Sequence, residues 1–333
     1  MVEFAYKAYR RTFAKEYQTA SHELSQRPGI LLRLRDGDGR VGFGEIAPIE
    51  SFETESLLAA LSRCEELQGK FEYEESRDSL NSFPCLQFAT ESAYEMLGVG
   101  SVSQSVDAPW PVCGLVADAT DRSQIEGLLE QGYRTIKFKI GKSEFAEERR
   151  NIDAFVEDSD GKIGIRLDAN GSLDRAKTIQ WLEYASDVPV EYLEQPMAKG
   201  SEREMSIIAR DFPARLALDE SVCFVDDLKR WNDFHWEGVY VVKPSIAGGR
   251  RALLDELLRI PDERVVFSSS LETLVGASTA IGLAIESTKR SRALAFGVED
   301  LFQNDGASLQ LGPFLQSDSL GSIEDFEELW KTV

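Results

Sequence analysis

Histidine is almost missing from this chain of 333 residues, with His22 and His235 the only two. Neither stands in a motif at the end of a strand-like run, so a histidine general base is not expected and base chemistry falls to lysine. Cysteine is sparse as well. Cys64, Cys85, Cys113 and Cys223 are scattered, with no CxxC pair and no histidine at zinc-ligand spacing, and are expected to be reduced, buried thiols. No apolar run approaches the roughly 18 residues that a membrane-spanning helix needs. The opening MVEFAYKAYRR lacks the apolar core of a signal peptide, so a cytoplasmic protein without membrane association is expected. Positive charge is in the minority, 37 Lys and Arg against 58 Asp and Glu, for a net charge of −21. Such a balance argues against DNA or RNA as partner, because nucleic-acid affinity comes largely from cationic side chains displacing counterions.

What is present is a chain able to bury a large core. Hydrophobic residues make up 42% and charged residues 29%, spread without low-complexity tracts, which is the balance of an ordered globular protein. The length accommodates one barrel of roughly 200 to 250 residues plus a smaller unit. Residues 1–105 read as an α+β capping domain. GILLRLRDGDGRVGFGEIAP is two strands around a DGDG turn, and TESLLAALSRCEELQGKF and PCLQFATESAYEML carry apolar residues at helical spacing, the first led by Thr54 as N-cap. From residue 106 the pattern changes to short β-branched runs, each followed by a charged amphipathic stretch. The runs are PVCGLV, RTIKFKI, IGIRLD, PVEYLE, RLALDE, GVYVVK, RVVFSS and ALAFGV, eight in all. Strand alternating with helix in this way predicts a parallel barrel over 106–302. The remaining segment, 303–333, loses the rhythm and ends in the acidic SIEDFEELWKTV, expected to pack back on the capping domain.

Charged residues stand at the ends of five successive strand-like runs. Lys137 and Lys139 lie in TIKFKIG, Asp168 in GIRLDAN, Glu194 in VEYLEQP, Asp219 in RLALDES and Lys243 in VYVVKPS, with 24 to 29 residues from one station to the next. One strand and one helix fill such a gap, so a barrel would gather all of them at one mouth. Lys137 and Lys139 are two apart and share a side of their strand, with Phe138 turned the other way. Three carboxylates with no histidine or thiolate are hard oxygen donors, which suit Mg²⁺, with Mn²⁺ as a substitute. A divalent ion on a substrate carboxylate stabilises the charge that forms when the adjacent carbon loses its proton. A lysine can take that proton once cationic neighbours or desolvation lower its pKa from the ordinary value near 10.4. The expected ligand is therefore a small-molecule carboxylate.

Each of these residues taken alone has a plainer reading. A strand-end acid ordinarily caps a helix or meets solvent, and Asp168 or Asn170 could cap DRAKTIQWL. Their joint occurrence in ordered register, in strands otherwise filled with Val, Ile and Leu, decides for a site.

At these residues the chain resembles the enolase superfamily, in the muconate-lactonizing-like branch with a KxK motif on the second barrel strand. The likeness extends over GFGEIAP, LDAN, LEQP, LDES and VVKPS. It implies a modified (β/α)7β TIM barrel with an α+β cap completed by the C-terminal segment. Within that branch GEIAPIESF resembles the GEIAPLPGF stretch, and SSSLETLVG the SSSFESSLG-type seventh strand, of the o-succinylbenzoate synthases. That resemblance implies a metal-dependent dehydration of 2-succinyl-6-hydroxy-2,4-cyclohexadiene-1-carboxylate in menaquinone or phylloquinone biosynthesis. In it Asp168, Glu194 and Asp219 would hold the metal, Lys139 would be base and then acid, Lys137 would tune it, and Lys243 would stabilise the intermediate from the opposite face. Asn170 and Glu220 are candidates for supporting the ligands, Ser269 and Ser270 for binding substrate, and Phe52 for a lid. The same machinery serves dipeptide or N-acylamino-acid epimerases, where one lysine works on each face. Against the dipeptide epimerases, FGVEDLFQND, with Glu299 and Asp300, replaces their eighth-strand DxD motif; it also differs from the GLDT or GLGT pattern of the synthases. A reading of another class is a catalytically silent barrel acting as a binding protein. Nothing in the sequence selects between a monomer and a homo-oligomer.

Overall fold

The computed structural model describes residues 1–18, 23–99, 108–116, 122–159, 163–287, 289–316 and 318–333. Its N-terminal layer is an antiparallel sheet built from β1 (Val2–Gln18), β2 (Glu23–Arg35), β3 (Val41–Ile46) and β4 (Gly69–Phe71), in the order β3-β2-β1-β4. The DGDG segment turns β2 into β3. The Asp36 carboxylate accepts hydrogen bonds from the Asp38 and Arg40 amides at 3.0 and 2.9 Å. Gly39 takes a φ of +83° that a side chain would resist.

Three helices cover this sheet, α1 (Leu57–Leu67), α2 (Tyr73–Leu80) and α3 (Pro84–Val99). The N-cap of α1 is Ser56, whose hydroxyl accepts from the Ala59 amide at 3.1 Å, and not Thr54 as the sequence led us to expect. Thr54 is spent on the preceding loop, accepting from the Ile49 amide at 2.9 Å. Helix α3 lies directly on β3 because Gly42 and Gly44 carry no side chain. A Cβ at Gly44 would stand 2.1 Å from the Ala89 carbonyl oxygen, and one at Gly42 would be 2.0 Å from that of Ala93.

The second sheet is parallel. Its strands are β5 (Trp110–Val116), β6 (Thr135–Lys139), β7 (Gly164–Asp168), β8 (Val190–Glu194), β9 (Leu216–Leu218), β10 (Val239–Val242), β11 (Val265–Phe267) and β12 (Leu294–Gly297). They run β11-β10-β9-β8-β7-β6-β5-β12, and a parallel bridge between Ser268 and Ala295 brings the two edges together. Between consecutive strands lie α4 (Arg122–Gln131), α5 (Phe145–Asp158), α6 (Arg175–Asp187), α7 (Glu202–Ala209), α8 (Val225–Asp233), α9 (Arg250–Leu257) and α10 (Leu274–Glu286). Seven strand-helix units and a final strand make this the expected (β/α)7β barrel. Strand alternation sends Ile136 and Phe138 outward onto the helices, where the Phe138 and Phe155 rings meet at 5.2 Å. Helix α10, LVGASTAIGLAIE, is buried on all sides from Leu274 to Ile285, which accounts for its lack of a polar stripe.

The chain then returns to the first sheet. Phe302 stacks on Phe13 of β1 with ring centroids 4.7 Å apart, β13 (Phe314–Leu315) pairs antiparallel with β5, and α11 (Ile323–Thr332) follows. Helix α11 sets Phe326 and Trp330 edge-on to Phe43 of β3. Lys7 of β1 donates to the carbonyls of Trp330 and Val333 at 2.8 and 2.9 Å, satisfying the helix C-terminus. The boundary expected between residues 105 and 106 lies outside the described residues, as does His22. Among the described residues no helix is long and apolar enough to cross a membrane.

Candidate active site

Register places the charged strand ends side by side. Lys139 on β6 lies level with Asp168 on β7, and Asp168 lies level with Glu194 on β8. Asp219 directly follows β9, and Lys243 follows β10, which is four strands from β6 in a ring of eight and therefore faces it across the mouth. A cavity of about 610 Å³ opens there, floored by Lys137, Lys139, Asp168, Asp219 and Lys243. Its upper wall comes from the N-terminal layer, through Arg27 on β2 and Phe52 in the loop after β3.

The floor is a chain of ion pairs. The Lys137 ammonium sits 3.0 Å from both Asp168 and Glu194, and Lys139 sits 2.6 Å from the same Asp168 oxygen. Lys139 also donates to Asn170 Oδ1 at 2.7 Å, and Asn170 Nδ2 donates to Glu220 at 3.1 Å. On the far side Lys243 is hydrogen-bonded to Asp219, and its ammonium lies 4.6 Å from the centre of the Phe52 ring. Asp168 and Asn170 are free for these contacts because Asp174 caps α6, accepting from the Lys177 amide at 2.8 Å. Asn170 adopts a left-handed φ of 45°, a conformation that asparagine tolerates, and this turns it back toward Lys139.

Burial and charge pull the titrations apart. Burial opposes ionisation of Asp168, but Lys137 and then Lys139 outweigh it and hold its carboxyl well below the usual range. Glu194 moves the other way, pushed up to about 8 by burial and then by the negative charge of Asp168. Glu220 is pushed up to about 7 by burial and by Asp219 and Asp168. Burial would strip protons from Lys137 and Lys243; their carboxylate neighbours prevail and raise both. Among the side chains of the floor, Lys137 and Lys243 thus each face more negative than positive charge, whereas the lowered pKa expected of a base concerns Lys139 beside a bound divalent cation.

Several candidates sit differently from one another. Ser269 faces the cavity, together with Ser268, which the sequence did not single out. Ser270 does not face it; it is 1% exposed, and its carbonyl is held by Arg27 at 2.9 Å. The Ser269 hydroxyl donates to Glu272 at 2.5 Å, so Glu272 sets its direction. Glu299 and Asp300 border a separate, smaller cavity. Gln195 of the LEQP motif was not among the expected residues either. Its amide is fully buried and accepts from the Asp219 and Ser221 amides at 3.0 and 3.3 Å, fixing the Asp219 turn. Its position beside Glu194 was the available signal. His235 is exposed at the end of α8, away from this floor.

The chain matches two family descriptions, the N-terminal domain of MenC over residues 6–97 and enolase C-terminal domain-like over residues 120–258. It is 32% identical over 303 residues to the o-succinylbenzoate synthase of Thermosynechococcus vestitus, a match that spans 90% of this chain and 93% of that protein. The chain belongs to the o-succinylbenzoate synthase family. It is accordingly an enzyme of the lyase class, within the enolase superfamily. The crystal structure of the o-succinylbenzoate synthase from Thermosynechococcus elongatus BP-1, complexed with Mg in the active site, superposes with a TM-score of 0.86 at 29% identity, covering 99% of this chain and 100% of that one. The N-succinyl Arg/Lys racemase of Bacillus cereus shares the fold, with a TM-score of 0.80 at 17% identity over 98% of this chain and 97% of that one.

The donor set can be weighed against a divalent cation. Among the described residues no three acidic, cysteine or histidine side chains form a group that could hold a metal ion, and lysine ammoniums stand against Asp168, Glu194 and Asp219. The chemistry nevertheless fits. All three are buried oxygen donors, and Glu194 Oε2 has no hydrogen-bond partner. A buried carboxylate oxygen with an open lone pair beside two further acids is a place that positive charge stabilises.

Proposed function

We propose that the chain removes water from 2-succinyl-6-hydroxy-2,4-cyclohexadiene-1-carboxylate to give 2-succinylbenzoate, with Asp168, Glu194 and Asp219 holding Mg²⁺ and with Mn²⁺ as a working substitute. The observation that carries the assignment is the pair of lysines facing each other across the cavity, Lys139 paired with Asp168 and Lys243 with Asp219. Held by these acids, a divalent cation would supply positive charge to stabilise the substrate carboxylate as the adjacent carbon loses its proton, and would offset the negative charge that raises Lys137 and Lys243.

In this reading the Lys139 amine takes the proton from the carbon bearing the ring carboxylate. The resulting ammonium gives that proton to the hydroxyl leaving the neighbouring carbon on the same face. One proton and one hydroxide depart as water, and the ring becomes aromatic. Asn170 Oδ1 aims the Lys139 amine, and Glu220 in turn orients the Asn170 amide. Lys137 lies behind Lys139 and supplies fixed positive charge. Lys243, pinned between Asp219 and the Phe52 ring, stabilises the charge that spreads into the ring by cation–π contact from the opposite side. Phe52 closes the site from above and excludes water.

The test is the ultraviolet change on loss of the cyclohexadiene, followed with Mg²⁺ and then with excess chelator. Metal-dependent formation of 2-succinylbenzoate is expected. A folded, metal-loaded enzyme that leaves the diene untouched would overturn the assignment, and exchange of α-protons in N-acylamino acids would then be the reaction to assay, since the facing lysines suit it too.

A further inference from the structure

Arg27 is a buried cation whose charge meets no acid among the described residues. The side chain is 4% exposed, yet it forms part of the cavity wall contributed by the N-terminal layer. Its two terminal nitrogens are committed to neutral carbonyls. Nη1 donates to Pro48 at 2.7 Å and to Pro28 at 3.3 Å, and Nη2 donates to Ala47 at 2.5 Å and to Ser270 at 2.9 Å. Guanidinium has five N–H donors. Four are used, and the fifth, Nε–H, is buried without a partner. Among the described residues no carboxylate lies within ion-pair distance of it, whereas Lys137, Lys139 and Lys243 all have acidic partners.

A guanidinium taken out of water without a counter-ion costs free energy that neutral carbonyls return only in part. An anion from the ligand would supply the missing partner. The proposed substrate carries two carboxylates, and the lysine and acid cluster on the floor accounts for one of them. We propose that Arg27 receives the second, the carboxylate of the succinyl tail, through its unpaired charge at the cavity wall. This rests on the reaction proposed above and adds to it a determinant of substrate choice. Through its carbonyl contacts Arg27 also ties the 47–52 loop that carries Phe52 to the end of β11, so the tail is recognised by the residue that anchors the lid.

Two substrates separate recognition from scaffolding: the natural diacid and its analogue with the tail carboxylate replaced by a carboxamide. Wild-type enzyme with Mg²⁺ is expected to lose about 10- to 100-fold in kcat/KM on the amide, as removal of a charged hydrogen-bond partner commonly does. The loss should fall mainly in KM. Arg27→Met should slow turnover of the diacid while abolishing the preference for it, and Arg27→Lys should restore part of that preference. Wild-type enzyme that treats acid and amide alike overturns the proposal even if no variant folds, as does an Arg27→Met enzyme that keeps the full preference. Should the reaction assignment itself be wrong, wild-type enzyme would convert neither compound, an outcome distinct from equal conversion of both. Titration of wild-type enzyme with 2-succinylbenzoate and its tail amide, read by intrinsic fluorescence, then tests the site without turnover. Tighter binding of the acid is expected, and equal affinity overturns the proposal.

Discussion

The Glu45 carboxylate, near the C-terminal end of β3, caps the N-terminus of α10 at Thr273. It accepts from the Thr273 amide at 2.9 Å and the Gly276 amide at 3.0 Å, and is also hydrogen-bonded to the Thr273 and Tyr9 hydroxyls. A helix needs its first N–H groups satisfied, and here the partner belongs to the other sheet. The contact therefore fixes the N-terminal layer against the loop that follows β11, the loop that contains Ser269 and Glu272. Glu45→Ala is expected to cost about 2–4 kcal/mol, because it leaves several buried donors without an acceptor. Urea unfolding measures this. A loss below about 0.5 kcal/mol would mean that water replaces the carboxylate at no penalty.

The two glycines of GFGEIAP serve a different purpose from the glycines in turns. Gly42 and Gly44 face the backbone of α3 at distances that leave no room for a methyl group. Gly44→Ala should destabilise the chain by at least about 2 kcal/mol through overpacking. Since α3 also packs beside the loop carrying Phe52, KM should rise before kcat falls. A thermal melt indistinguishable from wild type would show that α3 can shift aside.

Lys139→Ala tests the base directly. The variant deletes a side chain at the cavity floor and leaves the strand interior unchanged, so the fold is expected to persist. Removal of a general base ordinarily costs about 10²–10⁴ in rate, and Lys139 acts twice in the proposed sequence, so a loss at or beyond the upper end is expected. Single-turnover assays at saturating substrate would read it. Activity within about 10-fold of wild type would move the base elsewhere, with Lys137 the nearest amine.

The barrel was legible in the sequence because its strands are short apolar runs and all of its helices but the buried α10 carry several charged residues, and the charges at the strand ends recur every 24 to 29 residues. Lys137, Lys139, Asp168, Glu194, Asp219 and Lys243 all converge on one mouth for that reason. What the sequence concealed depends on tertiary contact. Ser56 and Thr54 are both competent caps, and the choice between them was made by the loop at Ile49, which claims the Thr54 hydroxyl. Ser268, Ser269 and Ser270 are chemically equal in a sequence, and only the folded chain turns the first two to the cavity and the third away, with Ser269 held by Glu272 and the Ser270 carbonyl by Arg27. Arg27 sits in a hairpin strand far in sequence from every barrel motif, and nothing local distinguishes it from Arg33 or Arg35. Its meaning comes from the carbonyls of Ala47, Pro48 and Ser270 that surround it.

The charge pattern on the floor makes a prediction for metal removal. Asp168, Glu194 and Asp219 are buried together, and in the absence of a divalent cation their charge is balanced by Lys137, Lys139 and Lys243. Two arrangements of the same charges thus compete, lysine on carboxylate or cation on carboxylate. The protein should remain folded when stripped of metal, because the ion pairs already satisfy most of the acids. A cation that binds only the folded state should still stabilise it, by about 2.7 kcal/mol at a concentration one hundred times its Kd. Mg²⁺ added to chelator-treated enzyme is therefore expected to raise Tm by several degrees and to restore turnover along the same concentration curve. Glu194→Gln should blunt both responses together, since the amide keeps the shape of the side chain but gives up its charge. A rise in Tm that survives Glu194→Gln undiminished would place the stabilising cation outside the cluster, and restored turnover without any thermal shift would mean that the ion binds with substrate and not to the free enzyme.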